Sequence, residues 1–190
     1  MQAARQTITT SLLSKHFAGF NTCGDPILEK MLLAAHDWIG EVQAEKQPRW
    51  LSLTGESGTG KTFLAQMALA ACRTIPKLME HRALSCPVLK TYWPTLLNQL
   101  RDGHYYRVTD LIAANVVLLD ELAIEHDPSG FGADKLCHIL SGRVGKWTII
   151  TSNLAISRIA SLDNRIASRM NRCGSVVINC NTQDYAMRGS

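Results

Sequence analysis

A short glycine-rich segment has the residue types and the spacing of a phosphate-binding loop. It fits the pattern G-x-x-x-x-G-K-[ST], follows an apolar run at 50–54 and precedes a helix-forming run at 63–73. In such a loop the glycines let successive backbone N–H groups turn toward one phosphate, and the following helix adds the positive end of its dipole. We therefore predict that the chain binds a nucleoside triphosphate through Gly55, Glu56, Ser57, Gly58, Thr59, Gly60, Lys61, Thr62 and Phe63.

The last two residues of the pattern have separate expected roles. Lys61 is expected to reach the β- and γ-phosphates, and the Thr62 hydroxyl is expected to coordinate Mg²⁺. A flexible Gly/Ser/Thr loop is the alternative interpretation. The strand and helix patterns on either side of the segment disfavour that alternative.

An acidic pair, Asp120 and Glu121, follows a continuous apolar run at 116–119. Such a run is typical of a buried parallel strand, whose carboxyl end opens into the crevice where α/β sheets bind ligands. We expect Asp120 to hold the magnesium ion, usually through a water molecule, and Glu121 to polarise an attacking water. Strands often end in acidic residues for other reasons, but the phosphate-loop pattern favours a nucleotide site and, with it, hydrolysis.

Polar residues that follow the apolar run at 147–151 are further candidates. Asn153 follows the run at 147–151, and it is either a contact to the γ-phosphate or lytic water or a turn residue that caps the next segment. Arg165 and Arg169 stand four positions apart, on one face of a predicted helix. A solvated basic face is the ordinary interpretation of this spacing. The functional one is an arginine finger that stabilises phosphoryl transfer in a neighbouring subunit.

These residues need a scaffold that brings them to one edge, and the hydrophobic pattern predicts a parallel α/β fold. Strand-forming runs alternate with runs whose apolar residues recur at helical spacing. We predict one domain over 1–190, with an approach segment and helix at 1–48 and a phosphate-loop core at 49–190, built on a five-stranded parallel sheet with helices on both faces. The predicted strands are 50–54, 88–92, 116–119, 147–151 and 175–178, and the predicted helices are 26–42, 63–73, 94–100, 132–140 and a stretch around 165–169.

The composition predicts a globular protein with no membrane partner. Apolar residues make up 46% and charged residues 19% of the 190 positions, and the formal net charge is +4. No apolar run approaches the roughly 20 residues that a membrane-spanning helix needs. The six cysteines form no C-x-x-C pair, so neither a zinc site nor a disulfide framework is indicated. We expect a cytoplasmic protein whose mild positive charge permits, without requiring, a nucleic-acid partner.

The combination of motifs resembles the AAA+ ATPases of the DnaC/DnaI helicase-loader and IstB group. Residues 55–62 are similar to their Walker A motif and residues 118–121 to their Walker B motif. Residues 151–154, T-S-N-L, resemble their sensor 1, and residues 165–169, R-I-A-S-R, resemble the R-x-x-S-R box of DnaA-like initiators and loaders. By this resemblance Arg169 takes the finger position and Arg165 a supporting one.

The resemblance implies ATP or ADP with Mg²⁺ as ligands, a homo-oligomer with a finger in trans, and single-stranded DNA and a replicative helicase as partners. The leading hypothesis is an ATP-dependent helicase loader of a compact, phage or mobile-element type. An IstB-like transposition ATPase acting with a transposase on duplex DNA is the alternative, followed by a binding module that hardly hydrolyses ATP. A small-molecule P-loop kinase is disfavoured, because neither an acceptor pocket nor an arginine-bearing lid is indicated. We expect neither the separate helicase-gripping N-terminal region of most loaders nor the C-terminal helical lid of full AAA+ proteins.

Two clusters in the sequence combine cations with aromatic rings, as single-stranded nucleic-acid sites do. The alternative for each aromatic residue is ordinary: packing at a strand end, or exposure on the domain surface. The candidate nucleic-acid contacts are Lys90, Tyr92, Trp93, Tyr105, Tyr106 and Arg107.

Overall fold

A five-stranded parallel sheet forms the centre of the computed structural model, which describes residues 15–80, 87–123, 129–172 and 174–189. The strand order β2-β3-β4-β1-β5 and the parallel pairing confirm the predicted fold class. The strands are β1 (Trp50–Thr54), β2 (Val88–Tyr92), β3 (Val116–Asp120), β4 (Trp147–Ser152) and β5 (Val176–Asn179). The helices are α1 (Pro26–Gln43), α2 (Lys61–Cys72), α3 (Pro76–Met79), α4 (Trp93–Arg101), α5 (Tyr106–Ala113), α6 (Phe131–Gly142), α7 (Ile156–Leu162) and α8 (Asn164–Met170), with a 3₁₀ turn at Ala186–Gly189.

Helices cover both faces of the sheet and bury two hydrophobic cores. The first core lies between the sheet and α1 and α2, and the second between the sheet and α4 to α8. β1, β3 and β4 are buried along their whole length, because each has a strand on both sides and helices on both faces. Since β1, β4 and β3 are neighbours in a parallel sheet, their carboxyl ends lie side by side at one edge.

The start of α1 follows the capping rules read from the sequence. Asp25 Oδ1 accepts hydrogen bonds from the backbone N–H of Ile27 at 2.7 Å and of Leu28 at 3.1 Å. Pro26 occupies the first helical position, where a backbone N–H is not needed. The helix then buries one apolar side, which includes Trp38, against the sheet and α2.

The structure adds two helices to the predicted elements, divides one predicted helix in two and shifts several element ends. It adds the helices α3 and α5, which the sequence pattern did not predict. The predicted helical stretch around 165–169 is two helices, since Asp163 is extended (φ −152°, ψ 102°) and caps α8 by accepting from Arg165 N–H at 2.8 Å. Strand β3 also includes Asp120, β4 extends to Ser152, and β5 begins one residue later than predicted.

The described helices give no indication of a membrane span. Within residues 15–80, 87–123, 129–172 and 174–189, no helix combines the length and the apolar character that a bilayer crossing requires.

Candidate nucleotide-binding site

The glycine-rich loop connects β1 to α2 and takes its shape from three glycines with positive φ. The φ angles are 119° at Gly55, 77° at Gly58 and 84° at Gly60. Residues other than glycine rarely adopt these backbone angles. α2 begins immediately afterwards, at Lys61, so the N-terminus of its helix dipole borders the loop. This is the strand–loop–helix arrangement that the sequence pattern predicts for a phosphate site.

Lys61 is held inside the loop by acceptors that a phosphate ligand can replace. Its side chain is 4% exposed, and its Nζ donates to the carbonyl oxygen of Glu56 and, at 3.2 Å, to the hydroxyl of Thr59. Burial lowers the pKa of Lys61 from its ordinary value, and the surrounding Cys180, Glu121 and Glu56 oppose that shift. An anionic ligand beside this ammonium would compensate a charge that burial disfavours.

A cleft of about 510 Å³ opens beside the loop. It contains the loop glycines Gly58 and Gly60, and Phe63, whose ring is 42% exposed. Its volume falls within the range of small-molecule sites, about 300–1,000 Å³. The cleft is lined by residues of the loop and α2, by Asn153 after β4 and by three residues from the C-terminal segment, namely Gly58, Thr59, Gly60, Lys61, Thr62, Phe63, Gln66, Asn153, Asp184, Tyr185 and Ala186.

The C-terminal segment lies against the glycine loop, a contact to which the sequence patterns assigned no role. Tyr185 N–H donates to Gly58 O at 2.7 Å, and its ring stacks on Phe20 with centroids 4.9 Å apart. A Cβ atom on Gly58 would lie 2.6 Å from Asp184 Oδ2. The backbone N–H of Glu56 donates a hydrogen bond to Asn181 Oδ1 at 3.2 Å. Only the pairing of β5 with β1 places this segment beside the loop, so no local pattern could have found it.

The two residues predicted to hold magnesium are in direct contact. Asp120 Oδ1 accepts hydrogen bonds from the hydroxyls of Thr62 at 2.8 Å and Thr151 at 2.7 Å. Its Oδ2 forms an ion pair with Lys90 Nζ at 3.0 Å. A hydroxyl and a carboxylate beside a phosphate loop are the oxygen ligands that Mg²⁺ takes when phosphates and waters supply the rest. Thr62 and Asp120 therefore fit the ion that the sequence predicts.

Glu121 lies beside Asp120 in a constrained conformation. Its φ is +56°, and its backbone N–H donates to the Thr151 hydroxyl at 2.8 Å. Asn153 Nδ2 donates to Glu121 Oε1 at 3.2 Å, so the sensor candidate and the predicted base are neighbours. The Tyr92 hydroxyl is also hydrogen-bonded to Glu121, and this bond raises the pKa of Tyr92. The sequence patterns did not predict the contact from Tyr92.

The two arginines of α8 have different surroundings. Arg165 pairs with Asp163 at 2.7 Å and with Asp134 at 2.9 Å. Arg169 instead donates to the Ser141 hydroxyl at 2.8 Å and to Arg165 O at 2.9 Å, and no carboxylate in the described parts of the chain pairs with it. Ser141 is near the end of α6, which runs back from the carboxyl edge of the sheet, so Arg169 lies away from the nucleotide cleft of its own chain.

The structure corrects one of the candidate nucleic-acid contacts and places two others beside the acidic pair. Trp93 is 1% exposed and donates its indole N–H to Ala123 O at 2.8 Å, so its ring is packed in the core and has no face for a base. Lys90 and Tyr92 contact the acidic pair instead of forming a separate surface cluster. The reason is that both side chains project from β2 toward the end of the adjacent strand β3.

The second cluster is on the surface. Tyr105 is 51% and Tyr106 59% exposed at the start of α5. The Arg107 guanidinium lies 5.7 Å from the centre of the Tyr106 ring, and Lys135 Nζ lies 4.6 Å from that of Tyr105. Lys135, which belongs to α6, joins the cluster only through the tertiary structure.

Comparison with protein families places most of the chain in one family model. Residues 31–170 match the family described as IstB-like ATP binding protein. This range contains the glycine loop, the acidic pair, Asn153 and Arg169. No curated protein matches the chain in sequence.

Solved structures with the same fold include DnaI, the DnaC helicase loader and the replication initiator DnaA. The structure titled DnaI is 24% identical with a TM-score of 0.64, over 82% of this chain and 86% of that one. The DnaC helicase loader is 19% identical with a TM-score of 0.65, over 82% of this chain and 90% of that one. DnaA bound to AMPPCP and single-stranded DNA is 17% identical with a TM-score of 0.57, over 76% of this chain but 44% of that one. At these identities the likeness shows the fold, which is that of AAA+ P-loop ATPases.

Proposed function

Because this chain belongs to the IstB-like ATP binding protein family, we propose that it hydrolyses ATP between subunits and uses the cycle to place a replicative helicase on single-stranded DNA. One observation carries the ATPase part of this proposal. Thr62 and Asp120 stand 58 positions apart in the chain, yet their side chains are hydrogen-bonded. The phosphate loop and the acidic pair therefore belong to one site.

The side chains of that site suit successive parts of phosphoryl transfer to water. Lys61 exchanges its bonds to Glu56 and Thr59 for bonds to the phosphate oxygens. A Mg²⁺ ion held by Thr62 and Asp120 would neutralise part of the negative charge of the phosphates. Glu121 orients and polarises a water molecule, and Asn153, which already contacts the Glu121 carboxylate, holds that water or the γ-phosphate.

A second subunit completes the site in this proposal. Arg169 lies far from the cleft of its own chain and is not neutralised by a described carboxylate, so its guanidinium suits an interface with another copy. Arg165 is held by Asp134 and Asp163 and supports the position of α8. An arginine offered in this way stabilises the charge of the transition state and raises turnover by about 10³–10⁵.

The surface cluster at the start of α5 is the part of the molecule that we propose binds single-stranded DNA. Tyr105 and Tyr106 present exposed rings, and Arg107 and Lys135 add positive charge beside them. Bases stack on such rings with about 1–3 kcal/mol per base, and the cations attract the phosphates. The DNA-loading part of the proposal depends on this cluster.

The alternative is a transposition ATPase that acts with a transposase on duplex DNA. The observation that favours it is the family model itself, whose description names an IstB-like protein. Both candidates share the ATP site, and they differ in the form of DNA and in the partner protein.

ATP turnover in the presence of different DNAs tests the proposal and separates the candidates. We expect single-stranded DNA to stimulate turnover and duplex DNA of the same sequence to have little effect. In the same assay Glu121→Gln should still bind ATP but lose turnover by about 10²–10⁴, the usual contribution of a general base. Stimulation by duplex DNA alone would favour the transposition role, and unchanged turnover in the variant would contradict the assignment of Glu121.

A further inference from the structure

The carboxylate of Asp120 has a positively charged partner that the predicted ATP site does not include. The Asp120 side chain is 4% exposed, and the Lys90 ammonium pairs with its Oδ2 at 3.0 Å. The other oxygen, Oδ1, accepts two hydroxyl hydrogen bonds, from Thr62 and Thr151. A buried carboxylate needs such compensation, because an unpaired charge is strongly disfavoured away from water.

Sheet geometry explains why this lysine reaches the site. β2 is an edge strand next to β3, and its residues Lys90 and Tyr92 pair in register with Leu118 and Asp120. Residues paired in register point to the same face of a sheet. Leu118 belongs to the core that packs on α2, so Lys90 projects on the face that carries the phosphate-loop helix. The Lys90 side chain is 35% exposed, which leaves its ammonium room to move into solvent.

We propose that Lys90 is a positioning residue that holds Asp120 in place of a metal ion and competes with Mg²⁺ for this carboxylate. The inference rests on the proposed function, because it requires Mg²⁺ to bind with a nucleotide at Thr62 and Asp120. Both cations would draw on the same carboxylate, whose Oδ2 pairs with Lys90 and whose Oδ1 accepts from Thr62, and two positive charges at this range repel each other. Lys90 therefore raises the concentration of Mg²⁺ that the site needs, and its ammonium moves away from Asp120 when the ion binds.

The test is a titration of free Mg²⁺ that follows the binding of a non-hydrolysable fluorescent ATP analogue. Lys90→Gln removes the charge and retains a hydrogen-bond donor, whereas Lys90→Arg retains the charge. We expect half-maximal binding of the analogue by Lys90→Gln at a free Mg²⁺ concentration (the Mg²⁺ midpoint) about tenfold lower than for wild type. A tenfold change corresponds to removal of one partly screened positive charge beside the ion. The midpoint of Lys90→Arg should stay within about twofold of wild type, and binding of the analogue in EDTA should change little in either variant.

A matched control removes a positive charge at the other end of the sheet. Lys46 pairs with Glu41 at 3.5 Å and lies near Trp147, the first residue of β4, whereas the ATP site is at the carboxyl ends of the strands. Lys46→Gln should leave the Mg²⁺ midpoint unchanged. Thermal unfolding in EDTA gives a second readout: Lys90→Gln should unfold at a lower temperature than wild type and recover when Mg²⁺ and nucleotide are added together.

Each other outcome has a distinct meaning. An unchanged or higher Mg²⁺ midpoint in Lys90→Gln overturns the inference and leaves the ATP site intact. Equal loss of nucleotide binding with and without Mg²⁺ overturns it too, because it would make Lys90 a phosphate ligand. Weaker binding of single-stranded DNA with an unmoved midpoint would make Lys90 a DNA contact. If the wild-type protein binds no nucleotide at any Mg²⁺ concentration, the proposed function itself fails.

Discussion

Glu121 has a backbone conformation that glutamate rarely adopts. A left-handed φ of +56° at a residue other than glycine costs about 1–3 kcal/mol, and the surrounding contacts must hold it. Thr151 supplies one such contact through its hydroxyl, and that same hydroxyl donates to Asp120. Asn153 and Tyr92 then hold the carboxylate. At the residue scale, β4 therefore positions both acids of the pair.

Lys61 is the residue on which the proposed nucleotide binding should depend most directly. Lys61→Met should lower ATP affinity by at least about tenfold, because it removes a buried cation from the phosphate position. The protein should remain folded, since burial disfavours this charge in the absence of a ligand. Calorimetric titration with ATP measures the loss, Lys46→Met is the control, and full affinity in Lys61→Met would contradict the phosphate-loop assignment.

At the scale of elements, the C-terminal segment and the glycine loop depend on each other. Gly58 combines a φ of +77° with the carboxylate of Asp184 at its Cβ position. Gly55 and Gly60 are also approached closely, by Asn181 and Tyr185. The loop therefore has glycines where the chain must both turn and accommodate a neighbouring segment.

Gly58→Ala should reduce ATP affinity by about tenfold or more, because backbone strain and the clash with Asp184 both displace the loop. The control is Gly103→Ala, in an exposed turn with φ +88° and no heavy atom within 4 Å of the added Cβ. Both variants carry similar backbone strain, so both should lose some stability in urea unfolding. Only Gly58→Ala should lose affinity, and equal affinity in the two variants would argue against contact between this loop and the nucleotide.

A buried arginine connects α5, α6 and β4. Arg143 is fully buried, and its guanidinium donates to Leu111 O at 2.6 Å, Ala114 O at 2.9 Å and the Thr148 hydroxyl at 2.9 Å, as well as to Trp147 O. Burial lowers the pKa of Arg143 to about 9, which leaves it charged at neutral pH. It satisfies two carbonyl groups at the end of α5 and one at the start of β4, the strand that ends in Thr151 and Ser152.

Arg143→Met should destabilise the fold by about 3 kcal/mol or more, because it leaves several buried acceptors without a donor. The measurement is the midpoint of urea unfolding, with the exposed Arg172→Met as the control. A change as small as that of the control would show that water or rearranged side chains satisfy these acceptors.

At the scale of the whole molecule, the site is proposed to be shared between copies of the chain. The cleft holds Lys61, Thr62 and Asn153, while Arg169 lies on the other face of the sheet, in the layer of α6 and α8. Arg169 therefore does not line the cleft of its own chain. An oligomer with a repeating interface would bring Arg169 to the cleft of a neighbouring copy at each of its sites.

Mixing two inactive variants tests the shared site. Arg169→Ala subunits retain Glu121, and Glu121→Gln subunits retain Arg169, so about a quarter of the interfaces are complete in a random equal mixture. ATP turnover should recover accordingly, whereas either variant alone stays inactive. A mixture of Glu121→Gln with Lys61→Met should not recover, because both residues serve the same subunit's site. Absence of recovery in the first mixture at every ratio would count against a finger in trans.

The sequence by itself determined the fold class, the glycine loop and the acidic pair. A phosphate loop and a buried strand can each be recognised from residues that are adjacent in the chain. The fold class then follows from the order in which strand and helix patterns alternate. The same local reasoning missed α5, whose short apolar pattern has no capping residue at its start. It also proposed Trp93 as a DNA contact. The residues at the end of a strand do not show whether an aromatic ring there will be buried by the following helix, and Trp93 is buried.

Only the tertiary structure decided which residues surround the acidic pair. Lys90 and Asp120 meet because β2 lies beside β3, and Asp184 approaches Gly58 because β5 lies beside β1. Strand order depends on how the whole chain packs its helices on the sheet, and residue spacing does not encode it. The sequence therefore indicated the chemistry of the site, and the packing of the chain determined its electrostatic surroundings.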